Sequence, residues 1–183
     1  MPETLQLKSK ICLVGEAAVG KTSLIQRYVL DQFDDKYIRT LGAKVSKKSL
    51  RLTVPDRIAK VDVTLAIWDV IGHVGLRQLL GDAFFEGAQG ILAVADLTRR
   101  DSLSVLKGWV ETVESVAGVV PVVLAANKAD LRSKAEYGPT EVSAMAKVLG
   151  SEFFLTSAKT GQNVEEAFLR LGTAIATTQL HAA

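Results

Sequence analysis

Eight consecutive residues near the start of the chain have the types and spacing of a phosphate-binding loop. The segment Gly15-Glu16-Ala17-Ala18-Val19-Gly20-Lys21-Thr22 follows the pattern G-x-x-x-x-G-K-[ST]. Its two glycines let the backbone curl so that several N–H groups point into one concavity. Lys21 supplies a mobile cation for the β- and γ-phosphates, and the Thr22 hydroxyl is a hard oxygen ligand for Mg²⁺. The residues expected to contact the phosphates or the ion are Gly15, Ala18, Val19, Gly20, Lys21, Thr22 and Ser23.

A second motif, Asn127-Lys128-Ala129-Asp130, could choose the base. The Asp130 carboxylate can accept two hydrogen bonds, from an N1–H and an exocyclic amine, and guanine presents that edge whereas adenine does not. A mismatched base would leave a buried carboxylate unpaired, which gives steep discrimination. We expect Asn127 to tie this loop to the phosphate loop and the Lys128 stem to cover one face of the base. Alone the motif often marks a turn, but with the phosphate loop it predicts a guanine nucleotide.

The elements that position these motifs follow from the hydrophobic pattern. Short apolar runs alternate with longer amphipathic segments, which is typical of an α/β sheet with crossover helices. Strands are predicted at Ile11–Val14, Gly90–Ala95, Val120–Ala126 and Glu152–Leu155, and a hairpin with a Pro55-Asp56 connection within 44–68. Helices are predicted over 21–30 and 74–85, from an Asp101 cap, from a Thr140 cap to Gly150, and from a capping box of Asn163 and Glu166. The fold class is therefore α/β, a three-layer doubly wound mixed six-stranded sheet with about five helices, and its ligand should lie beyond the carboxyl ends of the strands.

Composition excludes several classes of protein. The chain has 183 residues, 48 % hydrophobic and 23 % charged, which suits one globular domain. A net charge of +2 does not indicate a nucleic-acid partner. Cys12 is the single cysteine, so no intrachain disulfide is possible and a reducing compartment is expected. The termini carry no signal-peptide pattern and no site for prenylation or myristoylation, so we expect a cytoplasmic protein without a lipid anchor, whose contact with membranes is at most peripheral. A monomer is also expected.

Together these motifs resemble the Ras-like small GTPases, in the Rab/Ras branch, over about residues 8–178, and the whole chain 1–183 is predicted to be one G-domain. Three more family motifs appear in order. They are Thr40, the segment Trp68-Asp69-Val70-Ile71-Gly72, and the segment Thr156-Ser157-Ala158-Lys159.

The resemblance implies a role for each matching residue. Around the base, Phe33 would pack edge-on against the guanine and the Ala158 amide would meet its O6, with Ser157 and Lys159 framing that loop. Around the phosphates, the resemblance assigns roles to four residues: Tyr37 closing over them, Thr40 reaching Mg²⁺ and the γ-phosphate, Asp69 holding Mg²⁺ through water, and the Gly72 amide sensing the γ-phosphate.

These roles predict a molecular switch that binds GTP or GDP with Mg²⁺. A γ-phosphate bonded to both Thr40 and Gly72 couples two loops, and hydrolysis releases both. Effector, exchange and activating proteins would bind through these two switch regions and the 44–68 hairpin. Two alternatives stay open at this point: a GTP-binding module that does not turn over, and an ATPase of the wider phosphate-loop class.

Three departures from the family pattern bear on hydrolysis and partners. His73 stands where a water-orienting Gln is usual, as in the D-x-x-G-H of translational GTPases, and it is either catalytic with Lys21, Thr40 and Gly72 or a solvated residue. Ala17 places a methyl group where an activator's arginine would enter, which predicts slow hydrolysis that a Ras-type activator rescues poorly. The third is a basic stretch that fits either an acidic or anionic partner surface or a solvated edge strand. It comprises Arg39, Lys44, Lys47, Lys48, Arg51, Arg57 and Lys60, offset by Asp56. A solvated loop position is the simpler interpretation of Arg39, although it could supply a charge in cis.

Overall fold

The fold is built on one six-stranded sheet. The structure is a computed structural model and describes residues 4–34, 43–55, 59–70, 72 and 83–183. The strands are β1 (Leu5–Val14), β2 (Ala43–Val54), β3 (Ala59–Val70), β4 (Gly90–Asp96), β5 (Val122–Asn127) and β6 (Glu152–Leu155). Their order is β2-β3-β1-β4-β5-β6, with β2 antiparallel to β3 and the other neighbours parallel. The predicted mixed sheet with an antiparallel edge is confirmed.

Helices connect the parallel strands. Over the described ranges they are α1 (Lys21–Leu30), α2 (Arg100–Ser104), α3 (Leu106–Ala117), α4 (Pro139–Leu149) and α5 (Val164–Ala182), with a 3₁₀ turn at Arg132–Lys134. The prediction of about five helices is confirmed. Of the helix predicted over 74–85, residues 83–85 are helical and the rest lie outside the described residues.

The sheet separates two hydrophobic layers because side chains alternate between its faces. On β1, Ile11 and Leu13 belong to the layer that contains Phe168 of α5, whereas Cys12 belongs to the layer that contains Trp109 of α3. All five side chains are buried. The three-layer α/β prediction is therefore confirmed.

Strand β1 is longer than the predicted Ile11–Val14. It starts at Leu5, and residues 5–13 pair in parallel with residues 61–69 of β3. Most side chains in its first half are exposed or half-buried, so this half lacks the continuous apolar run of a strand covered on both faces. The four-residue prediction covered only the part that is buried on both faces.

Two predicted helix caps are wrong. Asp101 lies in the first turn of α2, whose N-cap is Arg99. Thr140 lies inside α4, which begins one residue earlier at Pro139, a residue type that suits the first helical position because it has no N–H to satisfy. The side chain of Glu141 accepts the N–H of the N-cap Gly138 at 3.0 Å and so satisfies the start of the helix instead.

The third predicted cap is right in position and wrong in mechanism. Asn163 is the N-cap of α5, but its φ is 56°, and its side chain makes no capping hydrogen bond. Its Nδ2 instead donates to the Leu155 carbonyl at 3.0 Å, which joins the start of α5 to the end of β6. A tertiary contact has therefore replaced the local capping box.

The basic stretch in the β2–β3 hairpin is less basic than predicted. Arg51 faces Asp62 across the hairpin, with Nε 2.6 Å from Oδ1 and the terminal nitrogen 3.0 Å from Oδ2. The prediction that Asp56 alone offsets the basic residues therefore missed Asp62, which neutralises Arg51. Lys48 lies with its ammonium 5.2 Å from the centroid of the Tyr28 ring, on the α1 side of the sheet. These contacts favour a solvated, internally paired edge, although residues 56–58 lie outside the described part.

Candidate functional site

The predicted motifs meet at the carboxyl edge of the parallel strands. The phosphate loop follows β1, the Asn127 motif begins at the last residue of β5, and the Thr156 motif follows β6. Asp69 is the second-last residue of β3. Since the carboxyl ends of parallel strands share one edge, the sheet brings together groups that are far apart in sequence.

The phosphate loop uses glycine where side chains cannot fit. Gly15 and Gly20 have φ values of 147° and 101°. A Cβ on Gly15 would lie 2.2 Å from the Val94 carbonyl oxygen, and one on Gly20 would lie 2.3 Å from Nδ2 of Asn127. Helix α1 begins directly after Gly20 and has no side-chain cap, so the N–H groups of its first turn, including that of Ser23, are suited to an anion.

Three successive carbonyl groups of this loop, here called the outer carbonyls, each accept a hydrogen bond from outside the loop. A terminal nitrogen of Arg99 donates to Ala17 at 2.5 Å, Lys128 Nζ to Ala18 at 3.0 Å, and Asn127 Nδ2 to Val19 at 3.0 Å. The contact expected between Asn127 and the phosphate loop is therefore present.

The outer carbonyls set the direction of the loop's N–H groups. All peptide bonds in the described ranges are trans, and in a trans peptide the N–H points opposite to the carbonyl. The N–H groups of Ala18, Val19 and Gly20 therefore face away from the three donors. Successive N–H groups turned to one side form an anion-binding concavity.

Lys21 lies inside the same loop. Its ammonium donates to the carbonyls of Gly15 and Glu16, each at 2.9 Å, and the residue is 6 % exposed. Burial lowers the pKa of Lys21 to about 8, although the charges of Asp69 and Glu16 act in the opposite direction. An anion bound at the loop would favour the charged ammonium.

Beside Lys21 lie the oxygen groups that suit Mg²⁺. The Thr22 hydroxyl donates to Oδ2 of Asp69, and Asp69 is buried. A hydroxyl and a carboxylate fit Mg²⁺, which keeps several waters and needs few protein ligands. No group of three or more His, Cys, Asp or Glu side chains suited to a metal occurs among the described residues.

Gly72 packs against the phosphate loop. A Cβ added to it would lie 2.5 Å from the Ala17 nitrogen and 2.6 Å from both Lys21 Nζ and the Glu16 carbonyl carbon. The backbone beyond β3 therefore approaches the loop more closely than any residue with a side chain could.

The other end of the site is a pair of loops joined by polar side chains. Oδ1 of Asn127 accepts the Thr156 hydroxyl at 3.2 Å and the Ala158 N–H at 3.3 Å. The Ser157 hydroxyl donates to Oδ1 of Asp130 at 2.7 Å. Asn127 thus contacts the phosphate loop through one end of its amide and the Thr156 loop through the other, and Ser157 orients the half-exposed Asp130 carboxylate.

Sequence reasoning missed Asp96, the last residue of β4. It is 1 % exposed, and its Oδ2 lies 2.8 Å from Lys128 Nζ and 3.3 Å from Arg99 Nε. Burial raises the pKa of Asp96, but hydrogen bonds from Lys128 and Thr98 outweigh it and leave the pKa below its ordinary value. An acidic residue ending an otherwise apolar central strand was the available signal.

Arg27 of α1 was also missed. Its Nε donates to the Ala158 carbonyl at 2.7 Å and a terminal nitrogen to the Lys159 carbonyl at 2.6 Å. Asp31, one turn further along the helix, pairs with it at 2.9 Å. The helix that starts at the phosphate loop therefore also holds the Thr156 loop.

Several expected site residues cannot be placed. Tyr37, Thr40 and His73 lie outside the described residues, as does Arg39. Phe33 is half-buried and packs against the hydrophobic layer shared by α1 and α5.

Comparison with known proteins decides the family. The Ras family model matches residues 10–177. The chain belongs to the Ras family. It is 35 % identical to the Ras-related protein Rab-21 of Homo sapiens over 163 residues, which cover 88 % of this chain and 69 % of Rab-21. Rab-13 of Bos taurus is 33 % identical, with 88 % of this chain and 77 % of Rab-13 covered. RABE1e of Arabidopsis thaliana is 35 % identical, with 88 % and 72 % covered.

Membership of the Ras family makes this chain a GTP-binding small GTPase, a guanine-nucleotide switch. Ras-family proteins bind GTP and GDP with Mg²⁺ and act through regulators and effectors. No helix within the described ranges is long and apolar enough to cross a membrane.

Proposed function

We propose that this chain, as a single G-domain with a core of about residues 8–178, binds GTP and GDP with Mg²⁺ and hydrolyses GTP slowly. The observation that carries the proposal is the position of Asn127, whose amide joins the phosphate loop at Val19 to the Thr156 loop at Ala158. One side chain thereby fixes the distance between the site for the phosphates and the site for the base.

At the base end, Asp130 would accept the N1–H and exocyclic amine of guanine. The hydrogen bond from Ser157 to Oδ1 supports this, because it holds the carboxylate in one orientation. The Ala158 N–H, which donates to Asn127 Oδ1 at 3.3 Å, would share its hydrogen with O6. Lys128 and Phe33 would flank the ring, and Lys159 would frame the loop.

At the phosphate end, the residues of 15–23 would surround the α- and β-phosphates with N–H groups, and the Lys21 ammonium would bond the β- and γ-phosphates. Thr22, Asp69 and Thr40 would hold Mg²⁺. The ion, when bound, would neutralise part of the charge on the phosphate oxygens. The Gly72 amide would reach the γ-phosphate, with Tyr37 closing over the group.

Hydrolysis would proceed by attack of water on the γ-phosphorus in line with the bond to the β–γ bridging oxygen. That bond breaks, and GDP and inorganic phosphate leave. Lys21 and the loop amides stabilise the charge that spreads over the γ-phosphate oxygens. His73, when neutral, would accept a hydrogen bond from the water and orient it.

The proposal that GTP hydrolysis is slow depends on Ala17 and on His73, which stands where a water-orienting Gln is usual. The Ala17 nitrogen lies 2.5 Å from the position of a Cβ on Gly72, so the Ala17 backbone borders the region assigned to the γ-phosphate. A methyl group there would obstruct an arginine supplied by a Ras-type activator, and such an arginine is worth about 10³–10⁵ in rate to the GTPases that use one.

Binding is tested by calorimetry of GDP against ligand-stripped protein with Mg²⁺ present. Tight binding of GDP without competition by ATP is expected. The Asp130→Asn variant should move preference from guanosine toward xanthosine diphosphate, since the amide offers a donor where the carboxylate accepts. An unchanged preference would remove Asp130 from the proposed role.

Turnover is tested separately by single-turnover phosphate release from bound GTP. Release over minutes to hours would support the slow enzyme. Intact GTP in the wild type with hydrolysis by His73→Gln would instead support the non-cycling module. The segment around Thr40 (switch I), the Trp68–Gly72 segment with the residues after it (switch II) and the β2–β3 hairpin would carry the effector and regulator contacts of a monomer.

A further inference from the structure

The phosphate loop carries strain at a residue that is not glycine. Ala18 has a φ of 62°, in the left-handed region that a residue with a side chain rarely adopts. The carbonyls on either side of this residue, those of Ala17 and Ala18, are two of the outer carbonyls. Contacts that hold those two carbonyls can maintain the strained conformation.

Both carbonyls are held by cations that share one buried carboxylate. Arg99 donates to Ala17 at 2.5 Å and Lys128 donates to Ala18 at 3.0 Å, while Asp96 Oδ2 lies 3.3 Å and 2.8 Å from these two side chains. Because Asp96 is 1 % exposed and is further fixed by Thr98, it provides a rigid anchor for both cations.

From this arrangement we propose that Arg99, held by Asp96, is a positioning residue for nucleotide binding. It fixes the Ala17 carbonyl outward and thereby directs the Ala18 N–H toward the phosphates. This inference rests on the proposed function. It adds a residue that lies outside the sequence motifs. It also assigns to a cation on the outer side of the loop the stabilisation of a positive φ, which a glycine would adopt without such support.

The charge of Arg99 also reaches the interior of the loop, since it lowers the pKa of the Lys21 ammonium in addition to the larger effect of burial. Arg99 is 42 % exposed on its side chain, so water screens part of this charge. We therefore expect Arg99 to contribute to nucleotide binding mainly through its hydrogen bond to the Ala17 carbonyl.

The chain offers a matched control next to Arg99. Arg100 carries the same charge, but it bonds Glu136, with its backbone N–H 2.7 Å from Oε2 and a terminal nitrogen 2.6 Å from the carbonyl oxygen. Arg100→Gln therefore removes an equal charge one residue away from the contact with the loop.

The test measures release of a fluorescent GDP analogue from wild type, Arg99→Gln, Arg99→Lys and Arg100→Gln, with Mg²⁺ present. Arg99→Gln is expected to release the nucleotide about tenfold faster, because a charge-assisted hydrogen bond is lost. Arg99→Lys should recover part of the difference, and Arg100→Gln should match wild type.

A second readout distinguishes positioning from general loosening. The ³¹P resonances of bound GDP should shift in Arg99→Gln and stay in place in Arg100→Gln, because only the first alters the N–H groups assigned to the phosphates. Release rates and ³¹P shifts equal to wild type in Arg99→Gln would overturn the inference. Failure of the wild type to bind GDP would instead overturn the proposed function, and the two failures are therefore distinguishable.

Discussion

Replacement of Asn127 by alanine is expected to weaken the fold and the site together. Asn127 is 2 % exposed, and its amide satisfies the Val19 carbonyl, the Thr156 hydroxyl and the Ala158 N–H. A buried polar group that loses its partner costs about 1–3 kcal/mol. Taking the lower value for each of three groups gives a loss of ~3 kcal/mol in the free energy of unfolding.

The same change separates the two ends of the nucleotide site. If about half of the lost energy is specific to the bound state, release of GDP accelerates by about tenfold, since each 1.4 kcal/mol corresponds to a factor of about ten. Urea unfolding followed by tryptophan fluorescence measures the first effect, and release of a fluorescent GDP analogue measures the second.

A matched variant is Asn163→Gly. It removes one side-chain hydrogen bond, from Nδ2 to the Leu155 carbonyl, at a φ of 56° that glycine adopts without strain. It should cost ~1 kcal/mol and leave nucleotide release near the wild-type rate. A loss in Asn127→Ala no larger than in Asn163→Gly would refute the reasoning that Asn127 serves three buried groups.

Three further variants or conditions test other parts of the site. Arg27→Lys should release GDP about tenfold faster, because one ammonium nitrogen would replace the two separate nitrogens, Nε and a terminal nitrogen, that bond the Ala158 and Lys159 carbonyls; a wild-type rate would contradict that role. Gly72→Ala should weaken the binding of GTP by tenfold or more, which is about the cost of an overpacked contact, and the binding of GDP by less. Equal losses of affinity for the two nucleotides, measured by calorimetry, would argue against a contact between Gly72 and the γ-phosphate. Because burial lowers the pKa of Lys21 to about 8 in the free protein, GDP binding above that pH should take up a proton, and the affinity should fall as pH rises. Calorimetry in two buffers measures the uptake, and no uptake at about pH 9 would count against the prediction.

The sheet could be predicted from the sequence because its signal is local. The apolar runs at Gly90–Ala95 and Glu152–Leu155 lie within the observed strands, and the alternation within 44–68 produced the hairpin. Each depends on residues that are neighbours in the chain. The mixed topology followed because two alternating runs with a short connection pair with each other.

The caps and the hairpin charges needed information from elsewhere in the fold. The sequence predicts that the Asn163 side chain caps its own helix, but in the fold this side chain donates to the Leu155 carbonyl at the end of β6. Asp62 offsets Arg51 only because the register places them opposite each other. A count of charges along the chain does not contain that register.

The residues that hold the site from outside were not predictable in the same way. Arg27 and Arg99 bind backbone carbonyls, and every residue has a carbonyl, so no residue type marks the acceptor. The motif residues Lys21, Asn127 and Asp130 could be proposed because their chemistry depends on their side chains. Thr40 and His73, which are proposed to act in hydrolysis, lie outside the described ranges.

The outer carbonyls have a consequence for transplanting such loops between proteins. In this chain the carbonyls of Ala17, Ala18 and Val19 are held by three donors that lie at or just after the ends of β4 and β5. A graft of only the eight-residue segment onto a new scaffold would transfer the two glycines but not the three side chains that bond the outer carbonyls. The portable unit of anion recognition is therefore the loop together with its external supports, because the carbonyls on either side of Ala18, whose φ is 62°, are held by residues outside the segment.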